Sequence, residues 1–173
     1  GSTPPTTGWP AARARKARRI AHTVSDAVHL ERGGVTGVAR TRLTFVSDRN
    51  NQSVLGTVEK RNAKEIYVAD YDGANPQRIT TTRQLNLNPS WSNDSRAIAY
   101  SAYPSNNGAP DIVVSHITTG VLQNLTRGRV RDGAYLPVFS PDGKQILFTM
   151  TPAGSGSQDI CVMNADGTSM RRL

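Results

Sequence analysis

A chain of 173 residues with 36% hydrophobic residues, 15 glycines and 10 prolines has the composition of a turn-rich folded protein and not that of a disordered one. No apolar run approaches the length of a membrane span, so the sequence predicts no membrane insertion. The net charge of +8 arises mainly in residues 1–42, which carry eight Lys and Arg against two acidic residues. The rest of the chain is close to neutral, which argues against nucleic-acid binding.

The N-terminal part of the chain changes from a linker pattern to a helical one. Residues 1–10 are small, polar and Pro-rich, and we interpret them as a linker or a disordered end. From Ala11 to about Glu31, apolar residues recur three and four positions apart and predict a helix that ends at Gly33 and Gly34. The apolar stripe consists of Ala17, Ile20, Ala21, Val24, Ala27 and Val28. The opposite face, predicted to be solvated, carries Arg13, Arg15, Lys16, Arg18 and Arg19.

The strongest pattern is a strand–turn–strand motif at residues 136–149, Leu-Pro-Val-Phe-Ser-Pro-Asp-Gly-Lys-Gln-Ile-Leu-Phe-Thr. Its turn residues are Pro141, which presets φ, Asp142, which can accept backbone hydrogen bonds, and Gly143. A degenerate copy lies 48 residues earlier, at residues 88–101. The corresponding residues are Pro89 and Pro137, Trp91 and Phe139, Ser92 and Ser140, and Asp94 and Asp142.

A second pattern repeats at nearly the same interval. The segments 65–73, 111–120 and 159–167 each begin with an acidic residue, continue as an apolar strand and reach a turn that contains Gly. Each then leads into a last short strand, at 78–80, 124–126 and 172–173. A repeat of about 40–50 residues with four short strands predicts the blades of a β-propeller. A β-sandwich with similar turns is the alternative.

The repeats divide the chain into a helical junction at 11–38 and a propeller part at 41–173, with blade units at 41–80, 88–126 and 136–173. The first unit lacks the strand with Pro-x-aromatic-Ser, so we predict three, four and four strands. The predicted fold class is therefore all-β, a partial β-propeller of about three antiparallel blades, the first without its inner strand, preceded by one α-helix. An open array of blades leaves apolar flanks exposed, so we expect completion of the ring by missing blades or by self-association.

The sequence offers no catalytic or metal-binding constellation. The three histidines, His22, His29 and His116, are scattered, and we interpret them as structural. Cys161 lies within a predicted strand, where a small buried side chain is expected. The Asp-Gly pairs are predicted to form turns and not to bind calcium. We therefore expect no cofactor, and the sequence does not support calcium in a propeller channel.

Loops on a rigid scaffold usually carry binding, which draws attention to the loops at 81–88 and 127–136 that lead into the inner strands. The second loop combines three arginines with a tyrosine, two residue types that are enriched at interface hot spots. A solvated loop without a partner is equally compatible with this composition. The candidate protein-binding residues are Asn86, Asn88, Arg129, Arg131, Asp132, Ala134 and Tyr135.

Two parts of the sequence resemble the TolB family of periplasmic propeller proteins. The blade motif at residues 137–144, with its degenerate copy at 89–96, resembles the repeat of TolB-like propellers. The segments 21–28 and 34–46 resemble the family's junction between the N-terminal α/β domain and the first propeller strand. The matching features there are Gly-x-x-Gly, Arg-Thr-Arg and the spacing of His and Asp. The resemblance covers roughly residues 18–173.

The resemblance implies about three of six blades and a remnant of the N-terminal α/β domain. It also implies a non-catalytic protein–protein interaction scaffold in the Tol–Pal cell-envelope system of the periplasm, with a role in cell division. Its implied partners are the peptidoglycan-associated lipoprotein Pal, bound on the propeller face that carries the two loops, and other Tol proteins. The alternative is the propeller domain of a prolyl-oligopeptidase-like serine peptidase, which would need a Ser-Asp-His hydrolase domain in addition.

Overall fold

The computed structural model describes residues 11–55, 62–104, 108–129, 133–152 and 156–173. The predicted linker at 1–10 lies outside these ranges. The chain forms two compact units. Of the described residues, one unit comprises those up to Leu43 together with Ala69–Asn75, and the other comprises those within Thr44–Val68 and Pro76–Leu173.

The described residues contain one α-helix and eleven β-strands. The helix α1 spans Ala11–Gly33. The strands are β1 (Arg42–Ser47), β2 (Glu65–Asp70), β3 (Gln77–Arg78), β4 (Leu85–Trp91), β5 (Ala97–Tyr103), β6 (Asp111–His116), β7 (Leu122–Asn124), β8 (Ala134–Phe139), β9 (Gln145–Met150), β10 (Asp159–Asn164) and β11 (Arg171–Arg172).

The strands form three sheets in chain order: β1-β2-β3, then β4-β5-β6-β7, then β8-β9-β10-β11. Neighbouring strands pair antiparallel in the second and third sheets, so each of these is a meander with its first strand at one edge. The predicted fold class and the strand counts of three, four and four are therefore confirmed. The predicted end of the helix is confirmed as well, because α1 ends at Gly33 and the Gly34 amide donates to the Leu30 carbonyl at 2.9 Å.

Both inner strands begin earlier than the sequence predicted. The second and third units were expected to start at Asn88 and Leu136, but β4 begins at Leu85 and β8 at Ala134. Asn88 and Leu136 have positive φ values of 54° and 57°, and the pairing register of each strand shifts there. Each strand therefore contains a β-bulge, which interrupts the alternating pattern that marks a strand in the sequence. A proline follows each bulge residue, and the bulge tolerates its missing N–H.

Two clusters of buried apolar side chains hold the three sheets together. The cluster between the first and second sheets contains Ile66, Val68, Ile98, Tyr100 and Val113. The cluster between the second and third sheets includes Ala97, Ala99, Ile112, Val114, Ile146, Phe148, Cys161 and Met163. Successive β5 side chains thus enter opposite clusters, as expected for a strand, and the middle sheet is buried on both faces. The predicted burial of the single cysteine is confirmed.

The third sheet leaves one apolar face uncovered. Val138, Leu147 and Ile160 on this face are 53%, 42% and 56% exposed. In the third sheet, Val138 pairs with Leu147. The corresponding pair in the second sheet is Ser90 and Ala99. The equivalent face of the second sheet is the one that packs against the third sheet. The exposed face therefore has the position of a sheet-packing surface.

Helix α1 contacts the rest of its own unit through polar side chains and not through the predicted apolar stripe. Arg18, which was expected to be solvated, pairs with Asp72, and His22 Nε2 lies 3.7 Å from the same carboxylate. The His22 ring also packs edge-on against Tyr71, with 5.0 Å between ring centroids. The largest residues of the apolar stripe are half exposed: Ile20, Val24 and Val28. No described helix is both long enough and apolar enough to cross a membrane.

One buried carboxylate fixes the junction that follows α1. Asp26 accepts hydrogen bonds from the Ala39 amide at 2.8 Å, the Arg40 amide at 3.1 Å and Arg40 Nε at 2.9 Å. Gly37 lies so close to Asp26 that a Cβ at this position would overlap the carboxylate. Burial raises the pKa of Asp26, but the hydrogen bonds together lower it by more, so the net pKa lies below its ordinary value of 3.8.

We expect Asp26→Ala to release this junction, because the Ala39 and Arg40 amides lose their acceptor. Hydrogen exchange measured by NMR should accelerate at both amides by at least about tenfold. In the wild-type chain, the lowered pKa makes the protection complete above pH 3.8 and lost as the pH falls through the lower folded-state value. Asp48→Ala, at a half-exposed carboxylate of the other unit, is the control. Unchanged exchange in Asp26→Ala would contradict this role.

Candidate protein interface at the inner-strand rim

The sequence placed its candidate residues where the chain enters the inner strands, at one end of the second and third sheets. We call this end the rim and define it by residues 85–89 of β4, residues 134–137 of β8 and the adjoining segments 101–104, 108–110 and 149–152. The other end of these sheets carries the turns at 92–96 and 140–144.

In the first and second sheets, the acidic residue that opens the repeat clamps the last strand and the segment after it by hydrogen bonds. In the second sheet, Thr126 Oγ accepts from the Ile112 amide at 3.0 Å and donates to Asp111 Oδ1 at 2.9 Å. Asn124 donates to the other oxygen of Asp111, also at 2.9 Å. Thr126 is fully buried, so its hydroxyl satisfies groups that water does not reach. The pattern of acid, apolar strand and final Thr in the sequence is thus a hydrogen-bond clamp, a role that sequence reasoning missed.

The first sheet carries the same clamp in an extended form. Thr80 Oγ1 accepts from the Ile66 amide at 2.9 Å and pairs with the buried Glu65. Glu65 also accepts from Arg78 Nη2 at 2.8 Å and from Asn86 Nδ2 at 3.1 Å. Asn86 is fully buried, and its amide donates to the Lys64 carbonyl at 2.9 Å. This candidate residue therefore ties β4 to the first sheet.

We predict that Thr126→Val lowers the free energy of unfolding by about 1–3 kcal/mol, because it keeps the side-chain shape but leaves the buried Ile112 amide without an acceptor. Urea titration followed by circular dichroism would measure the change. Thr168→Val is the matched control, since Thr168 Oγ1 also donates to a carboxylate, Asp166 Oδ1 at 2.7 Å, but in an exposed turn. An equal loss of unfolding free energy in the two variants would contradict the prediction, because the buried hydrogen bonds of Thr126 would then contribute no more than exposed ones.

A tight contact between connecting segments fixes the start of β8. Gly133 has a φ of 111°, and a Cβ there would come within 2.6 Å of the Pro110 ring. Both the conformation and the space therefore require glycine. The Ala134 amide donates to the Pro110 carbonyl at 2.8 Å. Ala134, another candidate residue, is fully buried, so its side chain belongs to the packing of the rim.

Tyr135 is a partly exposed aromatic residue of the rim. Its hydroxyl lies 2.5 Å from Thr151 Oγ1, which fixes the phenol against the segment that follows β9. A second tyrosine, Tyr103, ends β5 nearby. Burial raises the pKa of Tyr103, and the neighbouring Tyr135 phenol adds to this effect, so Tyr103 remains neutral at physiological pH. Two tyrosines with polar tips and apolar bodies suit a surface that alternates between water and a partner.

The two bulges present their left-handed residues to solvent. Asn88 of β4 and Leu136 of β8 are both exposed, and Leu136 is 47% exposed. The Leu136 amide donates to the buried Ser101 hydroxyl at 3.0 Å, which holds the bulge of the third sheet against the second. Leu136 was not among the candidate residues. Its signal was the repeat itself, because it aligns with the candidate Asn88.

The three remaining candidates lie on the connection into β8. Arg129 directs its guanidinium toward the backbone, where Nη1 donates to the Gly167 carbonyl and, at 3.4 Å, to the Leu125 carbonyl. It therefore links the connection to the third sheet. Arg131 and Asp132 lie outside the described residues. The rim thus brings Asn88, Tyr135 and Leu136 to the surface and keeps Asn86 and Ala134 inside.

Metal ligands do not converge within the ranges that the structure describes, where no group of three or more His, Cys, Asp or Glu side chains could hold an ion. The rim instead presents Asn88, Tyr135 and Leu136 on a hydrogen-bonded backbone. That combination suits recognition of a macromolecular surface.

Residues 31–173 match the family model of the TolB beta propeller domain. The chain belongs to the TolB β-propeller family. Among curated relatives, the Tol-Pal system protein TolB of Desulfosudis oleivorans is 33% identical over 143 residues, or 81% of this chain. The corresponding protein of Francisella tularensis is 31% identical over 157 residues, or 90% of this chain. The matches cover 28% and 34% of these relatives, so the chain spans about a third of their length.

Solved structures agree with this family assignment. TolB from Acinetobacter baumannii superimposes with a TM-score of 0.69 and 27% identity, over 96% of this chain and 38% of that one. A TolB-like protein from Agrobacterium tumefaciens, described as putative TolB, shares the fold, with a TM-score of 0.59 and 20% identity over 76% of this chain and 44% of that one. The family match favours TolB over the peptidase propeller that the sequence left as an alternative.

Proposed function

We propose that this chain is a non-catalytic protein-interaction module of the TolB type, that it acts in the Tol–Pal system of the periplasm, and that its rim binds a Pal-type lipoprotein. The observation that carries the proposal is the pair of equivalent bulges, which expose Asn88 and Leu136 at the same position of successive sheets. A role in the Tol–Pal system is proposed because curated relatives are Tol-Pal system proteins.

The rim has the physical properties of a recognition surface. Its backbone is held by the clamp at Asp111 and by the contact between Gly133 and Pro110, so little order has to be gained on binding. Tyr135 and Leu136 provide apolar area next to polar groups. Protein interfaces combine an apolar centre with a polar periphery in the same way. Arg131 and Asp132 remain predictions from the sequence, because they lie outside the described residues.

We expect the double variant Tyr135→Ala/Leu136→Asp to weaken Pal binding at least about tenfold, since it removes both apolar contacts. Aspartate tolerates the left-handed conformation of position 136 better than leucine does, so the bulge should persist. Titration calorimetry with purified Pal would measure the change. Adding Arg131→Glu should weaken binding further if this arginine contributes as the sequence predicts.

Two control variants separate contact from folding in this experiment. Leu122→Asp changes an equally exposed leucine outside the rim and should leave the affinity unchanged. Tyr135→Phe retains the ring and loses only the hydrogen bond to Thr151, so a small effect is expected. Wild-type affinity in the double variant would place the Pal site elsewhere on the molecule.

We also propose that the open face of the third sheet is covered by a further sheet of the same kind, from missing blades or from a second copy. Val138, Leu147 and Ile160 are exposed where the second sheet, at the equivalent face, is buried. Exposed apolar surface of this kind favours association in water. Propellers bury such faces by placing blades around a ring.

The isolated 173-residue chain should therefore associate in solution. Size-exclusion chromatography with light scattering should give a mass above that of the 18.7 kDa monomer, and the mass should rise with concentration. Leu147→Glu/Ile160→Glu should restore the monomer, because two charges would be buried without partners. Leu122→Glu, outside this face, should not. A well-behaved monomer of the wild-type chain would contradict the proposal.

A further inference from the structure

A cleft between the second and third sheets lies at the end opposite the rim. It has a volume of about 500 Å³ and opens beside the turns at 92–96 and 140–144. Its apolar lining comes from Ala97, Val114, Phe139 and Ala165. The volume falls within the range of small-ligand sites, about 300–1,000 Å³. The proposed partner site at the rim does not use this cleft.

Two carboxylates at the mouth of the cleft have one oxygen each that their turns do not use. Asp94 Oδ1 accepts from Ser92 Oγ at 2.6 Å and from the Arg96 amide at 3.0 Å. Asp142 Oδ1 accepts in the same way from Ser140 Oγ at 2.5 Å and from the Lys144 amide at 3.0 Å. The hydrogen bonds from the serines hold the pKa of each carboxyl below its usual range. Both second oxygens are thus charged acceptors at neutral pH.

The cleft also contains hydrogen-bond donors that balance these acceptors. Asn93, Arg96 and His116 line it together with Asp94 and Asp142. The side chain of Arg96 lies close enough to Asp94 to lower its pKa further, and Lys144 acts likewise on Asp142. Charges of opposite sign are therefore paired around the opening. A simple anion or cation gains little from such a balanced site, since each attraction is offset by a repulsion.

A hydroxyl group fits this mixture better than an ion, because it donates to a carboxylate and accepts from an amide or guanidinium at the same time. A ligand with several hydroxyls and an apolar face could also lie on the Phe139 ring and the small side chains of Ala97 and Ala165. We propose that this cleft is a binding site for an uncharged saccharide, whose hydroxyls are bound by the turn carboxylates and whose ring C–H face packs on Phe139.

Saturation-transfer NMR with uncharged sugars (glucose, galactose, N-acetylglucosamine, cellobiose and N,N′-diacetylchitobiose) tests the proposal on the full chain. At least one sugar should bind with a dissociation constant below about 20 mM, as expected for a shallow cleft. In spectra of ¹⁵N-labelled protein, the amides of Asn93, Gly143 and Ala165 should shift, and those of the rim should not.

Two variants locate the binding. Ala165→Leu fills the cleft and should abolish sugar binding. Asp94→Asn/Asp142→Asn retains an oxygen for each turn but replaces the second oxygen by a donor, and it should weaken binding at least about fivefold. Asp166→Asn is the matched control, since Asp166 caps a turn through Thr168 in the same way but does not line the cleft. It should change affinity less than about twofold.

The proposal fails if the wild-type chain binds none of these sugars with a dissociation constant below about 20 mM, or if both cleft variants bind as the wild type does. It also fails if arginine or inorganic phosphate binds more tightly than every sugar, because the cleft would then be an ion site. Should Ala165→Leu not fold, as judged by circular dichroism, the asparagine double variant decides alone. These outcomes are independent of Pal binding at the rim.

Discussion

Successive side chains of β5 enter two different cores, with Ile98 and Tyr100 in the cluster shared with the first sheet and Ala97 and Ala99 in the cluster shared with the third. Large residues on one face and small ones on the other allow the bulky Phe148 of the third sheet to pack closely. The second sheet cannot rotate or slide without breaking both contacts. The strand ends, and therefore the rim and the opposite cleft, take their positions from this double packing.

The polar features of the repeat serve the same arrangement at the two ends of each sheet. At the rim, an acid and a threonine join the third strand to the segment after the fourth, as Asp111 and Thr126 do. At the other end, an aspartate closes the turn after the first strand, as Asp142 does. The hydrogen bonds at the rim include buried ones that would be costly to leave unmade, whereas those of the exposed turns add little net stability. The two ends are therefore stiff enough to present surface residues.

The fold followed from the sequence because its signals are local and repeated: turn residues at fixed positions and apolar strands at a constant interval. The candidate site followed only in part. The sequence placed Asn86 and Ala134 in loops, yet both are buried within strands. The bulges that extend these strands depend on pairing between distant segments, which a local pattern does not show. Leu136 was overlooked because an exposed leucine looks like a core residue in a pattern. The polar contacts of α1 through Arg18 also depend on a partner, Asp72, that lies 54 residues away.

Leucine at position 136 adopts a left-handed backbone conformation that most side chains avoid at a cost of about 1–2 kcal/mol. The surrounding sheet imposes that conformation, with Ser101 holding the amide. Because the bulge residue is extra to the ladder, its side chain can be exchanged without moving any paired strand. Natural variation at such positions can therefore alter which molecules are recognised while the blades stay constant. Asparagine or glycine would relieve the strain, so leucine at this position costs stability.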